Sequence, residues 1–263
     1  SPQKAEGTVA RSILITGCSS GIGYDCSHYL RLKGWRVFAS CRKDEDCARL
    51  IDEGFESPRI DYEDEASIPE GLNEVLAATG GTLDALFNNG AYAVPGAAED
   101  LPRAALRQNF EANLFGYHDL TRQVLPVMRS QGHGRILNCS SVLGFAALKW
   151  RASYNTTKFA MEGLTDTLRL EMRDTPIHVI LIQPGPVTSR IRQNAIPHFE
   201  KWIDWEASPR RDHYEKTLMK RLYDESGTPD PFELPARAVS RKVHLALTHP
   251  RPASRYKITT PTY

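Results

Sequence analysis

Long apolar runs, a charge bias and paired cysteines are all missing from this chain of 263 residues. No apolar run approaches the roughly 18 residues of a membrane-spanning helix, and residues 1–10 lack the apolar core of a signal peptide. The formal net charge is only +1, so nothing global indicates nucleic acid or a membrane surface. The five cysteines form no Cys-x-x-Cys pair, which argues against a zinc site. We therefore expect a cytoplasmic protein without a metal, a nucleic-acid partner or a membrane span.

Short apolar strands alternate with helices along most of the chain. The pattern predicts strands over 12–16, 36–40, 83–88, 135–139 and 178–183, a weak strand over 59–62 and a last one over 255–259. It predicts helices over about 22–33, 67–79, 102–130 and 236–247, and another that carries Tyr154 and ends near 173. Such alternation is typical of parallel β-α-β units. We predict one domain over 1–263, an α/β Rossmann fold with a doubly wound parallel sheet of six to seven strands and helices on both faces.

The segment 190–234 interrupts this alternation. It is polar but rich in large aromatic residues, among them Phe199, Trp202, Trp205, Tyr214 and Tyr223. We expect one or two inserted helices that form a lid over a substrate. The aromatic residues fit equally well a helix that packs on the core.

A glycine-rich turn joins the first strand to the first helix. Its glycines are spaced Gly-x-x-x-Gly-x-Gly, and glycine lets the backbone approach a ligand closely. The N-terminus of the following helix offers free N–H groups to a pyrophosphate. A purely structural turn is the alternative. The predicted dinucleotide contacts in this turn are Gly17, Ser19, Ser20, Gly21, Ile22 and Gly23.

Tyr154 and Lys158 are four residues apart and, on a helix, share one face. A fixed positive charge beside a phenol lowers the phenol pKa, and a tuned phenol can donate or accept a proton at neutral pH. Taken alone, the pair is more typical of a solvated surface than of a catalytic site.

Together, the glycine-rich turn and the Tyr154–Lys158 pair resemble the short-chain dehydrogenase/reductase family over about 11–189. The stretch Thr16–Gly23 is most similar to the 17β-hydroxysteroid and retinol dehydrogenase-like branch of that family. The resemblance implies hydride transfer between a nicotinamide cofactor and a carbonyl or secondary alcohol, with Tyr154 as general acid or base. Lys158 would bind the nicotinamide ribose and lower the pKa of Tyr154. A dinucleotide-binding sensor without catalysis, or a related epimerase or dehydratase, is the alternative.

The same resemblance implies two further catalytic residues. Ser141 would bind the substrate oxygen, because its spacing from Tyr154 (154 − 141 = 13) matches the family better than that of Ser140. Asn113 has poor helix propensity inside a predicted helix and would hold a water in a proton relay to Lys158.

More cofactor contacts follow from the resemblance. Asn89 would lie under the ribose, although the family order Asn-Asn-Ala-Gly is here Asn88-Asn89-Gly90-Ala91, which puts the local backbone geometry in question. Thr188 and Ser189 compete for the position of a family threonine. Asp61 resembles an adenine contact but could equally be a turn residue. The implied set is Asp61, Asn89, Gly90, Pro184, Gly185, Val187, Thr188 and Ser189.

The residues after the second predicted strand indicate which cofactor binds. Cofactor sites for NAD usually have an acidic residue here, to bind the ribose 2′-hydroxyl. This chain has Cys41 and then Arg42. A guanidinium would pair with a 2′-phosphate, so the sequence favours NADP(H) over NAD(H).

The substrate is expected above the carboxyl ends of the strands. Tyr92, Leu143, Phe145 and Trp150 suggest a small to medium, largely apolar carbonyl or alcohol. Four nearby cations, Lys149, Arg151, Arg190 and Arg192, are interpreted as solvated rim charges, with binding of an anionic group as the alternative. The family resemblance also implies a homodimer or homotetramer, formed through the helix over 102–130 and the one that carries Tyr154.

Overall fold

The structure, a computed structural model, describes residues 9–141, 148–228 and 232–260. Within them six strands form one sheet: β1 Ser12–Ile15, β2 Arg36–Ala39, β3 Ala85–Asn88, β4 Gly134–Cys139, β5 Ile177–Pro184 and β6 Arg255–Ile258. The strand order is β2-β1-β3-β4-β5-β6, and every neighbouring pair is parallel. The predicted doubly wound α/β sheet is therefore confirmed. The strand order reverses at β1 and β3, and in such sheets this is where ligands bind.

Strands β1 to β5 are largely buried on both faces, as expected for a parallel sheet covered by helices, whereas the edge strand β6 is partly exposed. In β1, Ile13 and Ile15 join one apolar cluster while Leu14 joins the other, because successive side chains point to opposite faces. The helices that flank the sheet are α1 Gly21–Leu32, α2 Asp44–Asp52, α3 Ser67–Thr79, α4 Arg103–Phe110, α5 Gly116–Gln131, α6 Ala152–Glu171 and α10 Ala236–Thr248. Helices α1 and α10 cover one face, and α3, α5 and α6 cover the other.

The predicted helix over 102–130 is present but interrupted. A π-helical turn, Glu111–Phe115, joins α4 to α5. π-helical turns inside α-helices occur frequently at functional sites.

The predicted strand over 59–62 was wrong. The segment makes only one isolated parallel bridge, between Cys41 and Arg59. The chain turns immediately afterwards, because the Ser67 hydroxyl binds both backbone groups of Asp61. Ile60 and Tyr62 are buried, so the apolar pattern that predicted a strand reflects packing against α3 and α5.

The inserted segment contains α7 Ile191–Trp202, α8 Arg211–His213, a π-helical turn Tyr214–Leu218 and α9 Met219–Leu222. Phe199 and Tyr214 are almost fully buried in a third apolar cluster. The Tyr214 hydroxyl donates a 2.7 Å hydrogen bond to Asp100 and accepts one of 2.8 Å from the Ala97 backbone N–H. Two aromatic residues of the insert therefore pack on the core, as the alternative interpretation held.

Across the described ranges, no helix is both long and apolar enough to cross a membrane. In the same ranges, no group of three His, Cys, Asp or Glu side chains is placed to hold a metal ion.

Candidate active site

The glycine-rich turn at the end of β1 touches the turn at the end of β3. Gly17 has a φ of +66°, and a Cβ at this position would lie 2.6 Å from the Gly90 Cα and 2.8 Å from the Gly90 nitrogen. A Cβ at Gly23 would lie 2.4 Å from the Gly17 carbonyl oxygen. Two backbones and the start of α1 pack directly against one another here, which is possible only because these residues lack side chains.

The exchanged order of Gly90 and Ala91 does not disturb this contact. A Cβ at Gly90 would meet its nearest atoms at 3.6 Å, an ordinary van der Waals distance. Asn89 fixes the two turns, since its Nδ2 donates 3.3 Å hydrogen bonds to the carbonyls of Thr16 and Gly17. The local geometry that the sequence left in question thus tolerates either residue at position 90.

The first turn of α1 faces the same space. Ser20 precedes the helix and makes no side-chain capping hydrogen bond. A Cβ at Gly21 would lie 3.3 Å from the Cβ of Ser189, so Ser189 lies across from the helix start. The guanidinium of Arg49 in α2 donates a 2.8 Å hydrogen bond to the Ser19 carbonyl. N–H groups at a helix N-terminus bind phosphate well.

The two residues after β2 differ in environment. Cys41 is 1% exposed and packs in the core, where burial raises the pKa of its thiol. Arg42 is exposed, and its side chain makes no hydrogen bond or ion pair in the part of the chain that is described. Asp61, the candidate adenine contact, accepts a 3.0 Å hydrogen bond from the Glu63 backbone N–H and lies 3.8 Å from Arg59. These contacts of Asp61 are those of a turn residue.

The loop after β5 is held by the far end of the insert. Leu234 forms a parallel bridge with Val187: its N–H donates to the Pro186 carbonyl and its own carbonyl accepts from Thr188 N–H, both at 2.8 Å. In this pattern the N–H and carbonyl of Val187 point away from Leu234. Gly185 is tied to β6 by a 2.8 Å hydrogen bond to the Ile258 carbonyl.

Helix α6 places Tyr154 against the end of β4. Tyr154 is hydrogen-bonded to Ser141. Lys158 is 1% exposed, its Nζ donates a 2.8 Å hydrogen bond to the Cys139 carbonyl, and Nζ lies 5.4 Å from the centre of the Tyr154 ring. Ser140 is buried too, but its hydroxyl finds no hydrogen-bond partner in the described ranges. Three of the four predicted catalytic side chains, Ser141, Tyr154 and Lys158, therefore lie together.

The predicted lowering of the Tyr154 pKa was wrong in its net direction. Burial raises the pKa of Tyr154 above its ordinary value, and Cys139 adds to this, whereas Arg151 and the hydrogen bond with Ser141 lower it. Burial also lowers the pKa of Lys158. A low-dielectric site disfavours the charged forms of both groups.

Asn113 lies in the π-helical turn and is fully buried. Its Oδ1 accepts a 3.0 Å hydrogen bond from Tyr92 N–H, and its Nδ2 donates to the Tyr92 carbonyl at 2.9 Å and to Thr157 at 3.2 Å. Thr157 in turn donates to the Tyr154 carbonyl. Asn109, which the sequence pattern left aside, also donates to the Tyr92 carbonyl, at 2.9 Å. Both asparagines therefore hold the backbone of Tyr92, and Asn113 links it to helix α6.

A buried polar network beneath the site was missed by sequence reasoning. The Tyr62 hydroxyl is 2.7 Å from the Thr16 hydroxyl and 2.6 Å from Asn88 Oδ1. Asn88 donates in turn to Asn138 Oδ1 at 2.9 Å. The only local signal was an asparagine at or near the end of each of two apolar strands, since Asn88 is the last residue of β3 and Asn138 the last but one of β4.

The predicted substrate residues have different positions. Tyr92 is 7% exposed, its ring stacks on His198 of α7 at 4.0 Å, and its hydroxyl donates to Glu63. Trp150 is half-buried, with its ring 4.7 Å from that of Tyr214. Leu143 and Phe145 lie outside the described residues.

Comparison with known proteins agrees with this geometry. The family model described as short chain dehydrogenase matches residues 11–199. An uncharacterized oxidoreductase of Escherichia coli K12, YbbO, is 35% identical over 253 residues, which cover 96% of this chain and 87% of that one. The chain therefore belongs to the short-chain dehydrogenase/reductase family, whose members are oxidoreductases acting on CH–OH and C=O groups.

Solved structures support the same fold. A short-chain dehydrogenase/reductase from Burkholderia phymatum in complex with NAD gives a TM-score of 0.79 at 24% identity and covers 95% of this chain and 88% of that one. An actinorhodin polyketide ketoreductase variant with NADPH gives 0.75 at 26% identity and covers 95% of both chains. Structural neighbours of this chain thus bind either nicotinamide dinucleotide.

Proposed function

We propose that the protein transfers a hydride between NADP(H) and a carbonyl or secondary alcohol of a small to medium, largely apolar substrate. The observation that carries this proposal is the cluster of Ser141, Tyr154 and Lys158 at the end of β4, next to the side-chain-free contact of Gly17 with Gly90. A dinucleotide site and a proton-transferring phenol are the two parts that such a reaction needs.

The chain fits a dinucleotide cofactor. The Gly17–Gly90 contact holds the turns after β1 and β3 together beside the start of α1, and this uncapped helix start offers N–H groups to the pyrophosphate. Asn89 and Lys158 would hold the riboses, and the outward-pointing backbone of Val187 would meet the carboxamide. Bound there, the cofactor supplies or accepts the hydride.

Side chains of the protein transfer the proton and bind the substrate oxygen. In carbonyl reduction the protonated Tyr154 donates its proton to the substrate oxygen, and in alcohol oxidation the ionised Tyr154 accepts it. Ser141 donates a hydrogen bond to the oxygen and stabilises the negative charge that develops there. The raised pKa of Tyr154 keeps the phenol protonated at neutral pH, which suits reduction. Lys158 favours the phenolate when oxidation requires it, because its charge lies within one helical turn.

Proton return to Tyr154 requires a path from solvent. We infer that Asn113 contributes a relay water through its backbone, because its side-chain NH₂ is already used by Tyr92 and Thr157. The π-helical turn displaces backbone carbonyls from their usual helical partners, which makes one available for such a water.

The phenylalanine substitution Tyr154→Phe tests the chemistry. We expect turnover of NADPH with a panel of aliphatic and aryl ketones and aldehydes to be abolished, while NADPH still binds in a thermal-shift titration. Tyr29→Phe is the matched control, since Tyr29 lies on α1 beside His244 and away from the cluster. Full activity of Tyr154→Phe would rule out the assignment. Wild-type protein that binds NADPH but turns over no carbonyl would favour the sensor alternative, and redox-neutral turnover would favour an epimerase or dehydratase.

The preference for NADP(H) rests on Arg42. The exposed guanidinium makes no hydrogen bond or ion pair with the described residues and is available to a 2′-phosphate, and position 41 carries a cysteine instead of a carboxylate. Titrations of NADPH and NADH at fixed ionic strength test this preference, and equal or tighter binding of NADH contradicts it.

We also propose that the insert over 190–234 covers the substrate. His198 of helix α7 stacks on Tyr92, and Tyr214 of the insert packs against Trp150. These two contacts support a position of the insert beside the carboxyl ends of the strands. The apolar lining supports an apolar substrate. The narrower likeness to 17β-hydroxysteroid and retinol dehydrogenases, and a cytoplasmic location, stay predictions.

For assembly we propose a homodimer or homotetramer through α5 and α6. Several apolar side chains on α6 and on the turn before α5 are well exposed: Phe115 47%, Phe159 46%, Leu164 37% and Leu170 50%. Exposed apolar side chains grouped on neighbouring elements indicate a contact surface. Sedimentation of wild type against Phe159→Glu tests the proposal, and a wild-type monomer contradicts it.

A further inference from the structure

Tyr62 places a hydroxyl inside an apolar cluster. Its side chain is buried in the cluster that α3 and α5 form with the sheet. The ring packs directly on Gly116, since a Cβ at Gly116 would overlap the Cβ and Cγ of Tyr62. Glycine is a poor helix former, yet Gly116 is the first residue of α5, where it makes room for this ring. A phenol accommodated in this way is expected to make a specific hydrogen bond.

The Tyr62 hydroxyl donates one hydrogen bond and accepts another. The side-chain NH₂ of Asn88 donates to Thr121 at 3.2 Å and to Asn138 at 2.9 Å. The Oδ1 of Asn88 is therefore an acceptor, and the Tyr62 hydroxyl donates to it at 2.6 Å. Burial raises the pKa of Tyr62, so the phenol keeps this proton. The Tyr62 oxygen is then left to accept from the Thr16 hydroxyl, which lies 2.7 Å away.

Thr16, the residue after β1, uses its hydroxyl completely. Its proton is donated to Tyr62, and its Oγ1 accepts from Asn89 N–H at 3.0 Å and from Gly90 N–H at 3.4 Å. A hydroxyl has one proton and two lone pairs, and all three are occupied here. The direction of the Thr16 hydroxyl, and with it the hold on both N–H groups, therefore depends on Tyr62.

Asn89 and Gly90 form the β3 side of the candidate dinucleotide site. Gly90 lies directly against Gly17 of the β1 turn. The Nδ2 of Asn89 donates to the carbonyls of Thr16 and Gly17, so its Oδ1 is the side-chain atom left for a ribose hydroxyl. If the Thr16 hydroxyl turned, it would release two N–H groups of this turn. A phenol in the core thus controls the geometry of the turn.

We propose that Tyr62 is a positioning residue for the cofactor: its hydroxyl fixes the direction of the Thr16 hydroxyl, which holds the Asn89–Gly90 turn in the geometry that binds the dinucleotide. The inference rests on the proposed function, since it assigns a nicotinamide dinucleotide to this turn. It accounts for a hydroxyl inside an apolar cluster and for a glycine at the start of α5.

Titration with NADPH, followed by the fluorescence of its nicotinamide ring, measures the effect on folded protein. We expect Tyr62→Phe to weaken binding about three- to tenfold, the effect of one buried hydrogen bond. Tyr117→Phe is the matched control and should bind NADPH like wild type. The ring of Tyr117 lies 5.0 Å from that of Tyr62, and its buried hydroxyl has no hydrogen-bond partner in the described ranges.

A double-variant cycle tests whether Tyr62 acts through Thr16. Thr16→Val should weaken NADPH binding at least as much as Tyr62→Phe does. Adding Tyr62→Phe to Thr16→Val should then change the affinity by less than about twofold, because the hydroxyl that Tyr62 directs is already gone. Losses that simply add in the double variant overturn the proposal.

A second readout needs no cofactor. In the unliganded protein, the Asn89 amide hydrogen should exchange with solvent about tenfold faster in Tyr62→Phe than in wild type, relative to the amide of Leu137 within β4. Tyr117→Phe should leave this ratio unchanged. Equal ratios in wild type and Tyr62→Phe contradict the proposal. If Tyr62→Phe does not fold, Tyr62→Leu is measured by the same criteria.

The remaining outcomes separate this inference from the proposed function. A merely structural role of Tyr62 would lower the free energy of unfolding and leave the NADPH affinity of the folded protein unchanged, which overturns this inference alone. Wild-type protein that binds neither NADPH nor NADH overturns the proposed function together with it.

Discussion

Gly17→Ala is the sharpest perturbation of the proposed cofactor site. The φ of +66° disfavours any L side chain by about 1–2 kcal/mol. The added methyl would also lie 2.6 Å from the Gly90 Cα, and relieving such a clash with backbone costs about 1–3 kcal/mol. The sum, about 2–5 kcal/mol, is a large share of the roughly 5–15 kcal/mol that stabilises a typical domain.

Urea denaturation and NADPH titration measure the two consequences. We expect the free energy of unfolding to fall by that amount, and the remaining folded protein to bind NADPH at least tenfold more weakly, because the β1 and β3 turns are forced apart. Gly90→Ala is the matched control, since its Cβ would meet its neighbours at 3.6 Å and should change stability by less than about 1 kcal/mol. If Gly17→Ala binds and unfolds like wild type, or if Gly90→Ala is equally damaging, the described contact between the two turns is wrong.

Three other substitutions probe separate parts of the molecule. Arg42→Ala should weaken NADPH binding about tenfold to hundredfold and leave NADH binding nearly unchanged, as measured by parallel titrations. Tyr214→Phe should lower the free energy of unfolding by about 1–3 kcal/mol, because Asp100 and the Ala97 N–H lose a buried partner. At Asp25, burial opposes ionisation but hydrogen bonds from Arg237 and Ser240 outweigh it and lower the pKa. The stabilisation is present above the unfolded pKa of about 4 and lost at lower pH, so the stability gap between wild type and Asp25→Asn should shrink as pH falls below about 4.

The core of the fold was predictable because its signals are local. Apolar runs such as Ile13–Ile15 are short, lie between turn residues and recur at helix-length intervals, which leaves a parallel sheet as the simplest arrangement. The segment 59–62 resembles these strands in its sequence, because it carries the apolar residues Ile60 and Tyr62. It fails as a strand because Ser67 and Asp61 turn the chain after a single bridge, and this depends on a contact six residues away.

In the candidate site, the sequence could indicate single residues whose type and spacing are distinctive, but it could not indicate pairs of distant residues that act as partners. Gly17 and Tyr154 could be singled out from spacing and chemistry. The pairing of Tyr62 with Asn88, and of Asn109 with Tyr92, joins residues 26 and 17 positions apart and leaves no periodic trace. The sign of the Tyr154 pKa shift was also missed, because burial depends on the whole fold while the spacing of Lys158 shows only the charge.

The insert contacts the proposed site at two points. Tyr214 contacts Trp150, whose strained backbone leads directly into the helix of Tyr154, and Leu234 holds the loop of Val187. One end of the insert thus contacts the residue that leads into the helix of Tyr154, the proposed acid and base, and the other end holds the proposed carboxamide contact. If the insert were only a cover, loosening it would weaken substrate binding alone. Because both attachments lie on the catalytic side of the sheet, loosening it should lower kcat together with substrate affinity.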